Sequence, residues 1–176
     1  MNTMGKISIL TALVVSFAAA AFAAQGIAEI KGTAPDSPIT GTVKFQEVDG
    51  GLKVEAQVQG VPPAGKHGFH IHEFGACTNQ GKDAGGHYNP MGSPHGMLEH
   101  DGADKAHAGD LGNIEIKDDG TGTLSGMLPG VTLSGGDEAV AGRAVILHEK
   151  ADDFGQPTGN AGGRIGCGVI VITPDE

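Results

Sequence analysis

The feature that most constrains this chain is a period of two. Leu52-Lys53-Val54-Glu55-Ala56-Gln57-Val58 alternates apolar and polar residues without a break, and shorter stretches at residues 42–46 and 112–117 do the same. Successive side chains of a strand point to opposite faces, so each run has one buried and one wet side. No stretch carries a helical period of apolar residues. Thirty-one glycines, one tyrosine and no tryptophan suit short strands joined by turns. Asp49-Gly50-Gly51 and Asp118-Asp119-Gly120 are turn signals between alternating runs. Strands are predicted over residues 26–31, 42–46, 52–58, 68–73, 112–117, 121–128, 143–148 and 169–172, with a short element or loop at 131–135. The expected fold is all-β, an eight-stranded antiparallel sandwich or flattened barrel, with two long loops after Cys77 and after His148.

The fourth run, Gly68-Phe69-His70-Ile71-His72-Glu73, places His70 and His72 on one face, with Phe69 and Ile71 facing a core. Two imidazoles on one rigid face are half of a metal site. The chain has eight histidines, several beside Gly, Pro or Asp. His87, His95, His100 and His107 fall in the region 77–109, which has no strand period. A loop of that length in a small domain is functional or disordered. The histidine density points to a metal as the agent that orders it.

Residues 1–23 are expected to be an export segment. Lys6 is its only charge, an apolar run follows, and Ala21-Phe22-Ala23 suits small-residue cleavage. The remaining chain, 24–176, is one domain's worth of sequence. Removing Lys6 changes the formal charge from −10 to −11. An acidic surface of this kind disfavours nucleic acid and anionic membrane, and no membrane contact is expected after cleavage. Periplasmic or secreted placement follows. Two cysteines in an exported chain, Cys77 and Cys167, permit one internal bridge.

The ligand candidates are His70, His72, His87, His95, His107, Asp110 and His148. Imidazole suits zinc and copper, and carboxylate suits zinc. Seven ligands exceed one tetrahedral site and fall one short of two. A histidine using both ring nitrogens would complete the second, so a bridged pair is permitted by the count without being required by it.

Five ordered motifs carry a family resemblance: Gly68-Phe69-His70-Ile71-His72-Glu73, Gly85-Gly86-His87-Tyr88-Asn89-Pro90, His107-Ala108-Gly109-Asp110-Leu111-Gly112-Asn113, Leu147-His148-Glu149-Lys150-Ala151-Asp152-Asp153 and Gly159-Asn160-Ala161-Gly162-Gly163-Arg164. They resemble the copper/zinc superoxide dismutases in a bacterial exported form, over residues 26–172. The resemblance implies an eight-stranded Greek-key barrel. It implies one copper per subunit on His70, His72, His87 and His148, and one zinc per subunit on His87, His95, His107 and Asp110, with His87 shared. Asp152 resembles the carboxylate linking a copper histidine to a zinc histidine. Arg164 resembles the arginine that guides the substrate anion, superoxide, and Cys77–Cys167 matches the family disulfide. Arg164 and His87 are therefore the expected catalytic residues of an antioxidant dismutase. A homodimer and a monomer both remain open.

The chain also departs from the animal pattern. The segment 153–159 is short and lacks the lysine and glutamate cluster found there, leaving Arg164, Lys150, Lys66 and Lys82 as candidates for steering. His100 is an extra histidine and a competitor for zinc; His107 is favoured by its motif spacing to Asp110, so His100 is expected to be an exposed loop residue, and His67 is expected to be structural. The alternative reading is an exported copper/zinc buffer or metal-delivery module. Retention of both His148 and Arg164 argues against it, since storage needs no anion guide.

Overall fold

The computed structural model describes residues 23–174. All but the last residue of the expected export segment lies outside them. The strands are β1 (Gln25–Gly32), β2 (Thr40–Val48), β3 (Gly51–Gln59), β4 (Gly65–His72), β5 (Asp110–Ile116), β6 (Gly122–Pro129), β7 (Ala144–His148) and β8 (Arg164–Thr173). They close into an antiparallel barrel in the order β1-β2-β3-β6-β5-β4-β7-β8. The pairings of β3 with β6 and of β4 with β7 are non-consecutive, as a Greek-key path requires. Among the described residues no helix is long and apolar enough to cross a membrane.

The alternation read from the sequence is the alternation of burial. On β3, Leu52, Val54, Ala56 and Val58 fill the barrel while Lys53, Glu55 and Gln57 face solvent. The hairpin from β2 to β3 turns at Gly50, whose φ of 82° is a left-handed conformation open to glycine. β7 differs, being buried throughout. Val145 and Leu147 enter the barrel, whereas Ala144 and Ile146 pack outside it against Ala84 and Cys167. That outer cluster lies under the loop tied to β8 by the Cys77–Cys167 disulfide.

Most boundaries move by one to three residues, β4 starting at Gly65 and β2 running from Thr40 to Val48, and the largest shift is in β8. β8 begins at Arg164, five residues before the expected start, because Gly166 and Gly168 dilute its pattern without breaking its pairing to β7. The 131–135 segment is a loop holding a single bridge, Thr132 to Ala139, with Val131 and Leu133 buried. The first long loop contains a 3-10 turn, Lys82–Ala84, and one short helix, α1 (Leu98–Asp101). Its order does not depend on metal ligands alone, since Tyr88, Leu98, Ala106 and Ala108 anchor it in the main core cluster.

Phe69 and Ile71 of β4 are in that core. His70 and His72 therefore emerge on the outer face of the barrel, between β5 and β7. Both long loops fold over this face, so the two imidazoles are buried although they point out of the barrel.

Candidate metal centre

Two four-residue groups of side chains converge on the covered face of β4, with a third, smaller group of His70, His95 and Asp152 between them. His70, His72, His87 and His148 form one, with ligand atoms all within 4.8 Å of one another. His87, His95, His107 and Asp110 form the other, within the same limit. His87 belongs to both. Its ring centroid is 4.1 Å from that of His70, 5.0 Å from His72, 5.2 Å from His95 and 5.5 Å from His107.

Each member is placed by an identifiable element. β4 holds His70 and His72, and the last residue of β7 is His148. An isolated bridge pairs His87 with His72, which brings the loop ring against the strand ring. Asp110 opens β5 and receives the backbone N–H groups of His107 and Gly96, each at 3.0 Å, on Oδ2. Gly109 lets this turn approach β4, since a Cβ there would collide with the Ile71 carbonyl.

Hydrogen bonds commit one nitrogen of several rings and leave the other free. His72 Nδ1 donates to the Gly85 carbonyl at 3.0 Å, and its Nε2 faces His148 Nε2 at 3.3 Å. His70 Nε2 lies 2.8 Å from Asp152 Oδ2, and His95 Nε2 lies 3.0 Å from both oxygens of the same carboxylate. Their Nδ1 atoms are buried with no hydrogen-bond partner, as is His148 Nδ1. His95 Nδ1 is 2.8 Å from Asp110 Oδ2 without an aligned bond. His87 Nδ1 and His107 Nδ1 point to Asp110 Oδ1 at 2.9 and 3.2 Å. Buried nitrogens left unpaired are rare, and here two of them, with the other nitrogen fixed on Asp152, belong to rings of the ligand groups. The donor chemistry fits two soft-to-borderline cations: four imidazoles in one group, three imidazoles and a carboxylate in the other.

The electrostatics favour lone pairs. Burial, followed by neighbouring imidazoles, lowers His148 to about 3. Burial lowers His87 to about 4 against the pull of Asp110. His72 is lowered to about 2, again by burial first. All three are neutral at pH 7 and can ligate. Burial also acts to lower His95, but the close carboxylates of Asp110 and Asp152 outweigh it and raise the group to about 9. Asp110 is held well below the usual carboxylate range: burial would raise it, and the bonds from His107 and His87, with the close contact of His95, overcome that.

A family model described as copper/zinc superoxide dismutase matches residues 39–170. The chain belongs to that family. It is an oxidoreductase whose substrate is superoxide and whose cofactors are copper and zinc, and the two histidine groups are suited to hold metal ions.

The remaining expected residues are placed as follows. Arg164, paired in register with His148, donates from Nη1 to the carbonyls of Gly81 (2.6 Å) and Lys82 (3.3 Å) and from Nη2 to Gly85 (2.6 Å). Gly85 therefore accepts from both Arg164 and His72. His100 sits on α1 with its side chain 82 % exposed, away from both groups. His67 spans the carbonyls of His148 and Pro63 at 2.8 and 2.9 Å, a structural tie. Lys82 shares a surface hollow with Arg164, and Lys66 and Lys150 are exposed.

One supporting residue carried no expected role. Asn113 donates from Nδ2 to the Asp152 carbonyl at 2.9 Å and accepts from the Asp152 N–H at 2.7 Å. It locks the backbone of the carboxylate that joins His70 to His95. Its position within the Asp110 motif is the only sequence signal for it.

Proposed function

We propose that His70, His72, His87 and His148 hold the copper, that His87, His95, His107 and Asp110 hold the zinc, and that His87 is shared between them. The observation that carries this is the membership of His87 in both ligand groups. Copper, when bound, supplies the one-electron redox cycle that oxidises one superoxide to oxygen and reduces a second, with two protons, to hydrogen peroxide. The chain's residues arrange that chemistry. His72 is oriented by the Gly85 carbonyl, so its Nε2 is the free atom. Asp152 fixes the rings of His70 and His95 together, which makes the two groups rise or fall as a unit. His87 has Nδ1 directed to Asp110, leaving Nε2 as the atom that can take up a proton and release it to the reduced substrate.

Arg164 is the anion guide. Its three bonds to carbonyls use three of the five guanidinium N–H groups and leave Nε–H and one Nη2–H for superoxide. A fixed positive charge there opposes the net charge of −10 that would otherwise repel the substrate. Export, with periplasmic or secreted antioxidant defence, is supported by the apolar N-terminal run and by a disulfide.

Arg164→Ala tests the reading. Copper and zinc content should be unchanged while kcat/KM for superoxide falls roughly tenfold and loses part of its salt dependence. Unaltered dismutation at full metal content would leave the arginine without this role.

A further inference from the structure

The loop between β7 and β8 contains the segment Asp153-Phe154-Gly155-Gln156-Pro157-Thr158-Gly159, which has no lysine or glutamate. Its backbone is closed on itself. Asp153 N–H donates to the Gly159 carbonyl at 2.9 Å, and Gly159 N–H to the Gly155 carbonyl at 2.7 Å. The Asp153 carboxylate accepts from Gly155 N–H at 2.8 Å and from Asn160 Nδ2 at 3.0 Å. A surface segment this short and this internally bonded is a rigid platform.

Two side chains reach from it to one residue of the other long loop. The Gln156 amide holds both backbone groups of His95: His95 N–H donates to Oε1 at 3.0 Å, and Nε2 donates to the His95 carbonyl at 2.8 Å. The Phe154 ring stacks on the His95 imidazole, with centroids 6.3 Å apart and planes 20° from parallel. Phe154 adopts φ 59°, a conformation that aromatic residues rarely accept, and its N–H is tied to Asp152 Oδ1 at 2.8 Å. Gly159 completes the fit, because a Cβ there would overlap the Asp152 carboxylate and the His95 ring.

We infer that Phe154 and Gln156 are positioning residues that latch His95 in its ligating pose and set how slowly zinc leaves. The inference rests on the assignment of His95 to zinc above. Zinc escapes when one ligand swings away. His107 and Asp110 are joined through the start of β5, and His87 is pinned to β4 by its bridge to His72. His95 lies in the middle of the long loop, and its backbone N–H and carbonyl are held from the neighbouring loop by Gln156. The 153–159 segment, free of lysine and glutamate, is thus used to retain metal. Its two reaching side chains are exposed, so truncating Gln156 opens no cavity in the core.

Zinc release from the fully loaded protein into excess chelator tests this. Gln156→Ala should speed zinc release about tenfold, the effect expected of an outer contact that orients a ligand. Gln156→Glu, which keeps the acceptor and loses the donor, should fall between. Copper release and the denaturation midpoint of the metal-free Gln156→Ala protein should match the parent. Cobalt placed at the zinc site should show an altered visible spectrum in Phe154→Leu. Zinc leaving Gln156→Ala at the parent rate overturns the latch, as does faster release that merely tracks a loss of metal-free stability. A parent protein that never takes up one zinc per chain would instead defeat the underlying ligand assignment.

Discussion

Stripped of metal and with its disulfide intact, the protein should be most stable near pH 7 and should weaken steeply in mild acid. His72, His87 and His148 are held at about 2, 4 and 3 in the folded chain, against 6.5 when unfolded. Between pH 6.5 and about 4 the unfolded chain therefore binds three protons that the native chain refuses. Each costs about 1.4 kcal/mol of stability per pH unit once titration of the unfolded group is complete. Allowing for partial protonation at the start, the loss from pH 6.5 to pH 5 is about 5 kcal/mol. His95 has the opposite sign. Its folded value of about 9 means that it adds stability fully below 6.5, and this contribution disappears as pH rises through 9. The alkaline side should therefore decline more gently, by about 1–2 kcal/mol at pH 9. Asp110 and Asp152, both lowered in the folded state, add their own loss only below about pH 4. Since domains of this size have about 5–15 kcal/mol in total, the metal-free protein at pH 5 should be close to unfolding. Urea titrations in chelator, followed by far-ultraviolet circular dichroism from pH 5 to 9, measure the curve. A flat profile between pH 6.5 and 5 would refute the claim that these three rings are buried in neutral form.

Two further outcomes follow from the same contacts. Replacing Cys77 and Cys167 together by serine frees a link spanning 90 residues and should lower the unfolding free energy by about 4–5 kcal/mol in denaturant titrations, whereas a change below about 1 kcal/mol would contradict the chain-entropy argument. Asp152→Asn preserves shape but removes the charge and turns one acceptor oxygen into an NH2 donor, so it cannot serve His70, His95 and the Phe154 N–H together, and competition titrations should show both copper and zinc affinity falling about 10–100-fold; weakening of one metal alone would show that this carboxylate does not couple the sites.

Much of this architecture was legible because the determining signals are local. The alternation of β3 and the glycine turn before it define a hairpin within a dozen residues. His70 and His72 announce their common face by their spacing. β8 was legible only in its second half, since glycines at 166 and 168 carry no side-chain pattern although their backbones pair normally. α1 is four residues long, too short for any helical period to appear. The contacts that lock the centre are illegible for another reason. Asn113 meets Asp152 across 39 residues and Gln156 meets His95 across 61, and neither side chain differs locally from an ordinary polar surface residue. Only the closed barrel, which stacks the two long loops over β4, brings those partners together. The same closure explains why β7, an unremarkable apolar run in sequence, ends on His148 at the proper place.

The shared ring is the claim on which the account depends. Anomalous diffraction from crystals of the metal-loaded protein, recorded at the copper and zinc edges, tests it most directly. Two peaks should flank His87, with copper among His70, His72 and His148 and zinc among His95, His107 and Asp110. A single peak, or either metal bound without His87, would contradict it.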